Sequence, residues 1–356
     1  MGGINSLFTP LRVNDIELKN RFVMAPVPSG YVNNGHPQTG LIEFYQNHSH
    51  GPGLIIAGAI NIDHETASNN TNIPYIKTKE DLNIWKQAIK AVHNNGAKMF
   101  GQIWHSGGMS MGLTTPSGII NGKRVGNPMS YIDIQEVINS FVKTSERIKE
   151  VGFDGLEIQA AHGSLLHNFL FSSSNNRADQ YGLDNGYLFV KEVLNACRQA
   201  VGRGYPIILR ISDFRMDNRS EKIGDNPEKL KRFVDSVTSY VDGFDCSMLD
   251  FKAPEYPGKD WNLAKWIKKL SNKVTISTGK MASTVTFDNE LATMVKQLTN
   301  NKKQIFSDYD KSIFTGNLEL INNDIEAGNY DLASFGRPFL IDPDWVVHLE
   351  RKGVNL

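Results

Sequence analysis

The chain has 356 residues, long for one domain but within the span that α/β barrels cover as a single unit. Its 38 basic and 38 acidic side chains cancel, which excludes recruitment of nucleic acid or an anionic membrane surface by net charge; any anionic ligand must be held by a local site. No run of about 18 apolar residues offers a membrane span, the charged N-terminus lacks the apolar stretch of an export signal, and Cys197 and Cys246 are too few for a disulfide framework or an iron–sulfur cluster, so a cytoplasmic protein with buried free thiols is expected.

The first predicted element is a hairpin: LRVNDIELKN turns at Asn14-Asp15 between alternating apolar and polar residues, and could close the bottom of a barrel. From Phe22 onward, short apolar or β-branched runs recur, each followed by a segment of helical spacing, the pattern of parallel βαβ units. Eight such strands are predicted, at Phe22–Pro26, Leu54–Ile60, Lys98–Ile103, Gly155–Gln159, Ile207–Ile211, Phe244–Ser247, Val274–Thr278 and Leu332–Phe335. Among the helices, Asp133–Val151 places Ile134, Val137, Ile138, Phe141, Val142 and Ile148 mostly on one face. The long segment from Trp104 to Tyr131, rich in Gly, Ser, Pro and Met, reads as a lid or binding loop after the third strand. Asn300–Lys303 reads as a solvated turn. With no linker and no internal repeat, residues 1–356 are expected to form a single (β/α)8 TIM barrel, whose chemistry sits at the C-terminal strand ends.

Those strand ends hold the candidates. Gln102 closes the third run with an amide able to donate and accept at once. Arg210 lies within IILRI, where a guanidinium must be paired or face a site to offset its desolvation. STGK at Ser277–Lys280 and SFGRP at Ser334–Pro338 end the last two runs, where such barrels commonly bind phosphate. Glycine lets backbone N–H groups approach an anion, and Arg337 can grip phosphate oxygens bidentately, although either glycine turn alone is a weak signal. No lysine stands inside an apolar strand as a Schiff-base candidate; Lys98 and Lys280 are the nearest, which leaves an aldolase or isomerase reading without support. No metal site is expected.

Five motifs in order at barrel spacing go further. LFTPLRVNDIELKNRFVMAPV, GQIWHSGG, GLEIQAAHGSLLHNFLFSSSNNRADQYG, RISDF and DLASFGRPFLIDPDW together resemble the Old Yellow Enzyme family of NADH:flavin oxidoreductases, as a divergent bacterial-type member. The resemblance implies an FMN cofactor, NADH or NADPH as hydride donor, and a small electrophile such as an activated alkene or quinone as substrate. It implies that Gln102 meets the flavin's pyrimidine edge and that Arg210 faces the ring. Gly279, Lys280, Ser334, Gly336 and Arg337 would hold the phosphate. Ala25, Pro26 and Ala59 resemble positions that touch the isoalloxazine through backbone atoms, though plain strand-end packing would serve these residues equally well. A homo-oligomer is compatible with these features.

The chain departs from the family where the chemistry usually sits. Gln159 replaces the first substrate-anchoring histidine, leaving Gln159 and His162 as the donor pair for a substrate oxygen. Ser164 replaces the proton-donating tyrosine, and an unactivated hydroxyl is a far poorer acid than a phenol. Tyr31, after the first strand, is the candidate substitute, with His105 and Tyr131 weaker ones. Pro28 stands where a flavin-tuning Thr or Cys is usual and can offer neither contact. Two readings follow: an FMN-dependent oxidoreductase, or an FMN-binding barrel with lost or altered alkene reduction.

Overall fold

The computed structural model describes residues 3–109, 114–183, 187–281 and 311–352. Eight parallel strands follow one another around a closed barrel: β1 (Phe22–Met24), β2 (Leu54–Asn61), β3 (Lys98–Trp104), β4 (Gly155–Gln159), β5 (Ile207–Ser212), β6 (Gly243–Ser247), β7 (Val274–Thr278) and β8 (Leu332–Phe335), with β8 pairing back onto β1. The expected barrel is observed, with strand ends moved by a residue or two. Helices pack outside it, among them α1 (Lys79–Asn94) and α2 (Tyr131–Val151). Both begin in capping boxes, Thr78 with Asp81 and Ser130 with Asp133. Each cap contributes about 1 kcal/mol by satisfying otherwise orphaned N–H groups. Capped by Ser130, α2 begins at Tyr131, two residues ahead of the expected Asp133, and Gly152 ends it in the left-handed conformation, φ 99°.

The strand pleat divides the core in two. Outward residues such as Leu156, Ile158, Leu209 and Phe244 meet the helices, and both cysteines are buried there as free thiols. Inward residues Val23, Leu54, Ile56, Phe100, Ile208, Ile276 and Leu332 fill the barrel floor, where Val13 and Leu18 of the hairpin Leu11–Val13/Ile16–Leu18 pack against them. The hairpin thus plugs the floor as expected. Phe100 fits because Gly155 has no side chain; a Cβ there would lie 2.6 Å from its ring.

The loop after β3 has more structure than its composition announces. It carries a helical turn at Gly107–Met109 and a hairpin, Ile119–Ile120 with Lys123–Arg124. The Asn300–Lys303 turn lies outside the described residues. Among those described, no helix is long and apolar enough to cross a membrane.

Candidate active site

Toward the C-terminal ends the aliphatic layer gives way to polar residues, because the same alternation that sends Ile208 inward also sends Arg210 inward. Arg210 stands between two buried carboxylates, Nε 3.4 Å from Asp245 Oδ2 and Nη1 3.9 Å from Glu157 Oε1. Gln102 donates through Nε2 to Glu157 Oε1 at 2.7 Å, and Thr278 donates to Asp245 Oδ1 at 2.6 Å. Burial and then the Asp245 charge push Glu157 up to about 8, against the pull of Arg210. Asp245 is raised as well, chiefly by burial. One cation cannot neutralise two buried carboxylates, so the trio retains a proton at neutral pH.

His162 lies just beyond β4 at φ 62°. Its backbone N–H donates to Ser212 Oγ at 3.0 Å, its ring packs 5.0 Å from the Phe214 ring, and its Nε2 lies 2.9 Å from Ser247 Oγ. Burial, followed by the Arg210 charge, holds the imidazole down at about 3, so the ring is neutral and can offer a hydrogen bond but not an acidic proton. Gln159 pairs in register with Arg210, and its buried Oε1 has no partner among the described residues.

Other candidates stand apart from this pair. Ser164 is fully buried and donates to the Gln159 carbonyl at 3.2 Å. Tyr31 is 46% exposed, its ring lying over Gly40 and 6.3 Å from the Phe44 ring, with no hydrogen bond or ring contact to Gln159 or His162. His105 is enclosed, accepting from Gly107 N through Nδ1 and bonded to Thr66 through Nε2, with burial lowering it to about 3. Tyr131 points to solvent beside Tyr181.

The ends of β7, β8 and β1 lie side by side: Thr278 is in register with Ser334, and Ala25 N–H donates to Phe335 O at 2.9 Å. This gathers Gly279, Lys280, Ser334, Gly336 and Arg337 near Ala25 and Pro26. Gly279 has φ 149° and no room for a Cβ, which would lie 2.3 Å from Met248 O. Lys280 Nζ is 3.9 Å from Asp250 Oδ2. Ser334 Oγ is buried without a partner among the described residues, and Gly336 precedes the short helix Arg337–Ile341. Ala59 sits at the irregularity in the β2–β3 register, next to Gly58, where a Cβ would lie 2.7 Å from Gln102.

The family model for the NADH:flavin oxidoreductase / NADH oxidase family matches residues 6–310. The chain belongs to that family. It is 31% identical over 255 residues to a putative 12-oxophytodienoate reductase 2 of Oryza sativa subsp. japonica, covering 67% of each chain. It is 28% identical over 300 residues to an NADPH dehydrogenase of Bacillus subtilis (strain 168), covering 78% of this chain and 86% of that one. Morphinone reductase in complex with tetrahydroNAD superposes with a TM-score of 0.77 at 21% identity, covering 99% of this chain and 92% of its own, a likeness of fold. The expected membership of the Old Yellow Enzyme family is thereby borne out, and the chain is an NAD(P)H-dependent flavin oxidoreductase.

For this flavin oxidoreductase, unpartnered Gln159 Oε1 and Ser334 Oγ are the test of fit. Buried orphans cost about 1–3 kcal/mol each unless a ligand or water meets them. They lie at the strand ends, near Arg210 and Gly279 respectively, so the residues present fit an FMN. Sequence reasoning missed Glu157, Asp245, Ser212 and Ser247. The first two carried the signal that exposed Arg210, a charge within an apolar strand; the serines carried none.

Proposed function

We propose that this chain accepts hydride from NADH or NADPH and delivers it to a small electrophile, an activated alkene or a quinone, with residues 1–356 acting as one FMN-binding barrel domain. FMN, when bound, supplies the hydride chemistry. Around it, Glu157 takes the Gln102 Nε2 hydrogen, which leaves the Gln102 carbonyl to accept from the flavin's pyrimidine edge. Arg210 holds positive charge toward the ring. Ala25, Pro26 and Ala59 line its bed, and Gly279, Lys280, Ser334, Gly336 and Arg337 hold its phosphate. Gln159 and His162 donate to the substrate oxygen as negative charge develops there.

The observation that carries this reading is the Gln159–His162 pair at the strand ends beside Arg210, where Gln159 Oε1 has no partner among the described residues and the His162 ring is bonded through Nε2 alone. Purified protein is expected to be yellow, or to become so on reconstitution with FMN, and its reduced form to be reoxidised rapidly by cyclohexenone or a quinone in stopped flow. A colourless protein that takes up no FMN would sink the proposal. The second reading, altered or lost alkene reduction, is favoured by the buried Ser164 and by the distance of Tyr31 from any contact with His162. Reoxidation by a quinone but not by cyclohexenone would select it.

A further inference from the structure

The His162 ring has a contact that its role as a donor does not explain. Its Nε2 lies 2.9 Å from Ser247 Oγ at the end of β6, and the same oxygen lies 3.5 Å from Arg210 Nη2. Nδ1 has no hydrogen-bond partner among the described residues. A guanidinium can only donate, whereas a serine hydroxyl has one hydrogen and two lone pairs. Ser247 Oγ therefore receives Arg210, and its own hydrogen needs an acceptor; among the described residues His162 Nε2 is the acceptor in reach. In the opposite arrangement Nε2–H and Arg210 would both donate to one oxygen, leaving the hydroxyl hydrogen unpaired on a side chain only 6% exposed. Such an unmade bond costs about 1–3 kcal/mol.

We propose that Ser247 is a positioning residue that fixes His162 as the Nδ1–H tautomer, so that the hydrogen offered to the substrate oxygen is the one on Nδ1. The proposal rests on the reading of His162 as the donor. With the other tautomer, Nδ1 would turn a lone pair toward a developing oxyanion and repel it. Ser212, which receives the His162 backbone N–H and donates to Phe214 O at 2.6 Å, and the Phe214 ring hold the imidazole in place. The ring therefore has little freedom to recover the lost geometry by turning.

Nitrogen-15 NMR of the histidine-labelled, FMN-loaded protein reads the tautomer directly, with the His162 signals assigned by their loss in His162→Gln. The wild type is expected to show a protonated Nδ1 and a bare Nε2 between about pH 6 and 8, near the ordinary histidine titration range. Ser247→Ala is expected to shift His162 toward the Nε2–H form and to lower kcat for cyclohexenone about tenfold, roughly one hydrogen bond to a charged group, with KM and flavin content little changed. Ser247→Thr, which keeps the hydroxyl, is expected to restore both. A wild-type proton on Nε2 overturns the proposal whether or not any variant folds, and so does an unchanged tautomer in Ser247→Ala. A tautomer that switches while His162→Gln reduces cyclohexenone at the wild-type rate supports the role of Ser247 and overturns only the donor role of His162.

Discussion

Ser164, which the resemblance places at the family's proton-donor position, has its hydroxyl spent on the Gln159 carbonyl and shut away from solvent. Ser164→Ala is therefore expected to leave kcat and KM for cyclohexenone within about twofold and to cost about 1 kcal/mol of stability, the worth of one neutral hydrogen bond; a tenfold fall in kcat would mean that the hydroxyl reaches substrate. His162 is held at about 3, so kcat/KM should show no inflection from it between about pH 5 and 8, although an ordinary histidine titrates there. An inflection that vanished in His162→Gln would contradict this. Glu157 behaves oppositely. Its value in the fold is about 8, against about 4.3 for an unfolded glutamate. The folded state thus holds the proton more tightly, and the stability this contributes is complete below about pH 4.3 and lost as pH rises through about 8. Glu157→Gln keeps an acceptor for Gln102 and removes the titration, so thermal denaturation followed from acid to alkaline pH should decline less steeply than in the wild type. Equal slopes would place the buried proton elsewhere.

At the scale of elements, the loops after β3, β4 and β5 meet at one fully buried arginine. Arg215 forks through Nε and Nη2 onto Asp217 at 3.1 and 2.6 Å, while Nη1 donates to Ser173 Oγ at 2.6 Å and to Glu221 Oε2 at 2.9 Å. Asp217 also accepts from Asn121, at the turn of the hairpin in the β3 loop, at 2.8 Å. The Met216 N–H donates to His162 O at 3.3 Å, tying this assembly to the candidate donor. Arg215→Met would remove the charged hydrogen bonds to Asp217 and Glu221, whose partly exposed carboxylates can then hydrate, and is expected to cost about 1.5–3 kcal/mol in denaturant unfolding. Asn121→Ala, which breaks only the link to the hairpin, should cost under about 1 kcal/mol while exposing residues 119–124 to limited proteolysis. Equal losses in the two variants would show that the fork onto Asp217 carries no special weight. The strands, α2 and the floor hairpin were legible in the sequence because periodicity and the Asn-Asp turn are local signals. Arg215 was not: Asp217 and Glu221 are its near neighbours in sequence, but Ser173 and Ser174 lie 42 and 41 residues away on another loop, and only closure of the barrel brings them to it. The serines that hold His162 escaped notice for the same reason, whereas Glu157 and Asp245 could have been found by asking of every strand what was asked of Arg210.

For the whole molecule, the barrel's two ends do different work, and FMN binding separates them. A ligand that binds only the folded chain adds stability by mass action, about 2.7 kcal/mol at a hundredfold excess over Kd, so FMN is expected to raise the Tm of the apoprotein. Leu18 is buried in the floor cluster with Phe100 and Ile208, and Leu18→Ala should cost about 2–5 kcal/mol by leaving a cavity. The floor lies at the opposite end of the strands from Gly279, Ser334 and Gln159, and effects at sites that share no partner add. Leu18→Ala should therefore lower the Tm of apo and loaded protein alike and leave the FMN increment intact. At Gly279 the backbone is at φ 149° and a Cβ would meet Met248 O at 2.3 Å, so Gly279→Ala must shift the turn that is proposed to approach the phosphate. Its FMN increment should shrink markedly, and a combined variant should show the sum of the two effects. If Leu18→Ala reduced the increment as far as Gly279→Ala does, the flavin's site would depend on the floor and the division of the barrel into plug and mouth would fail.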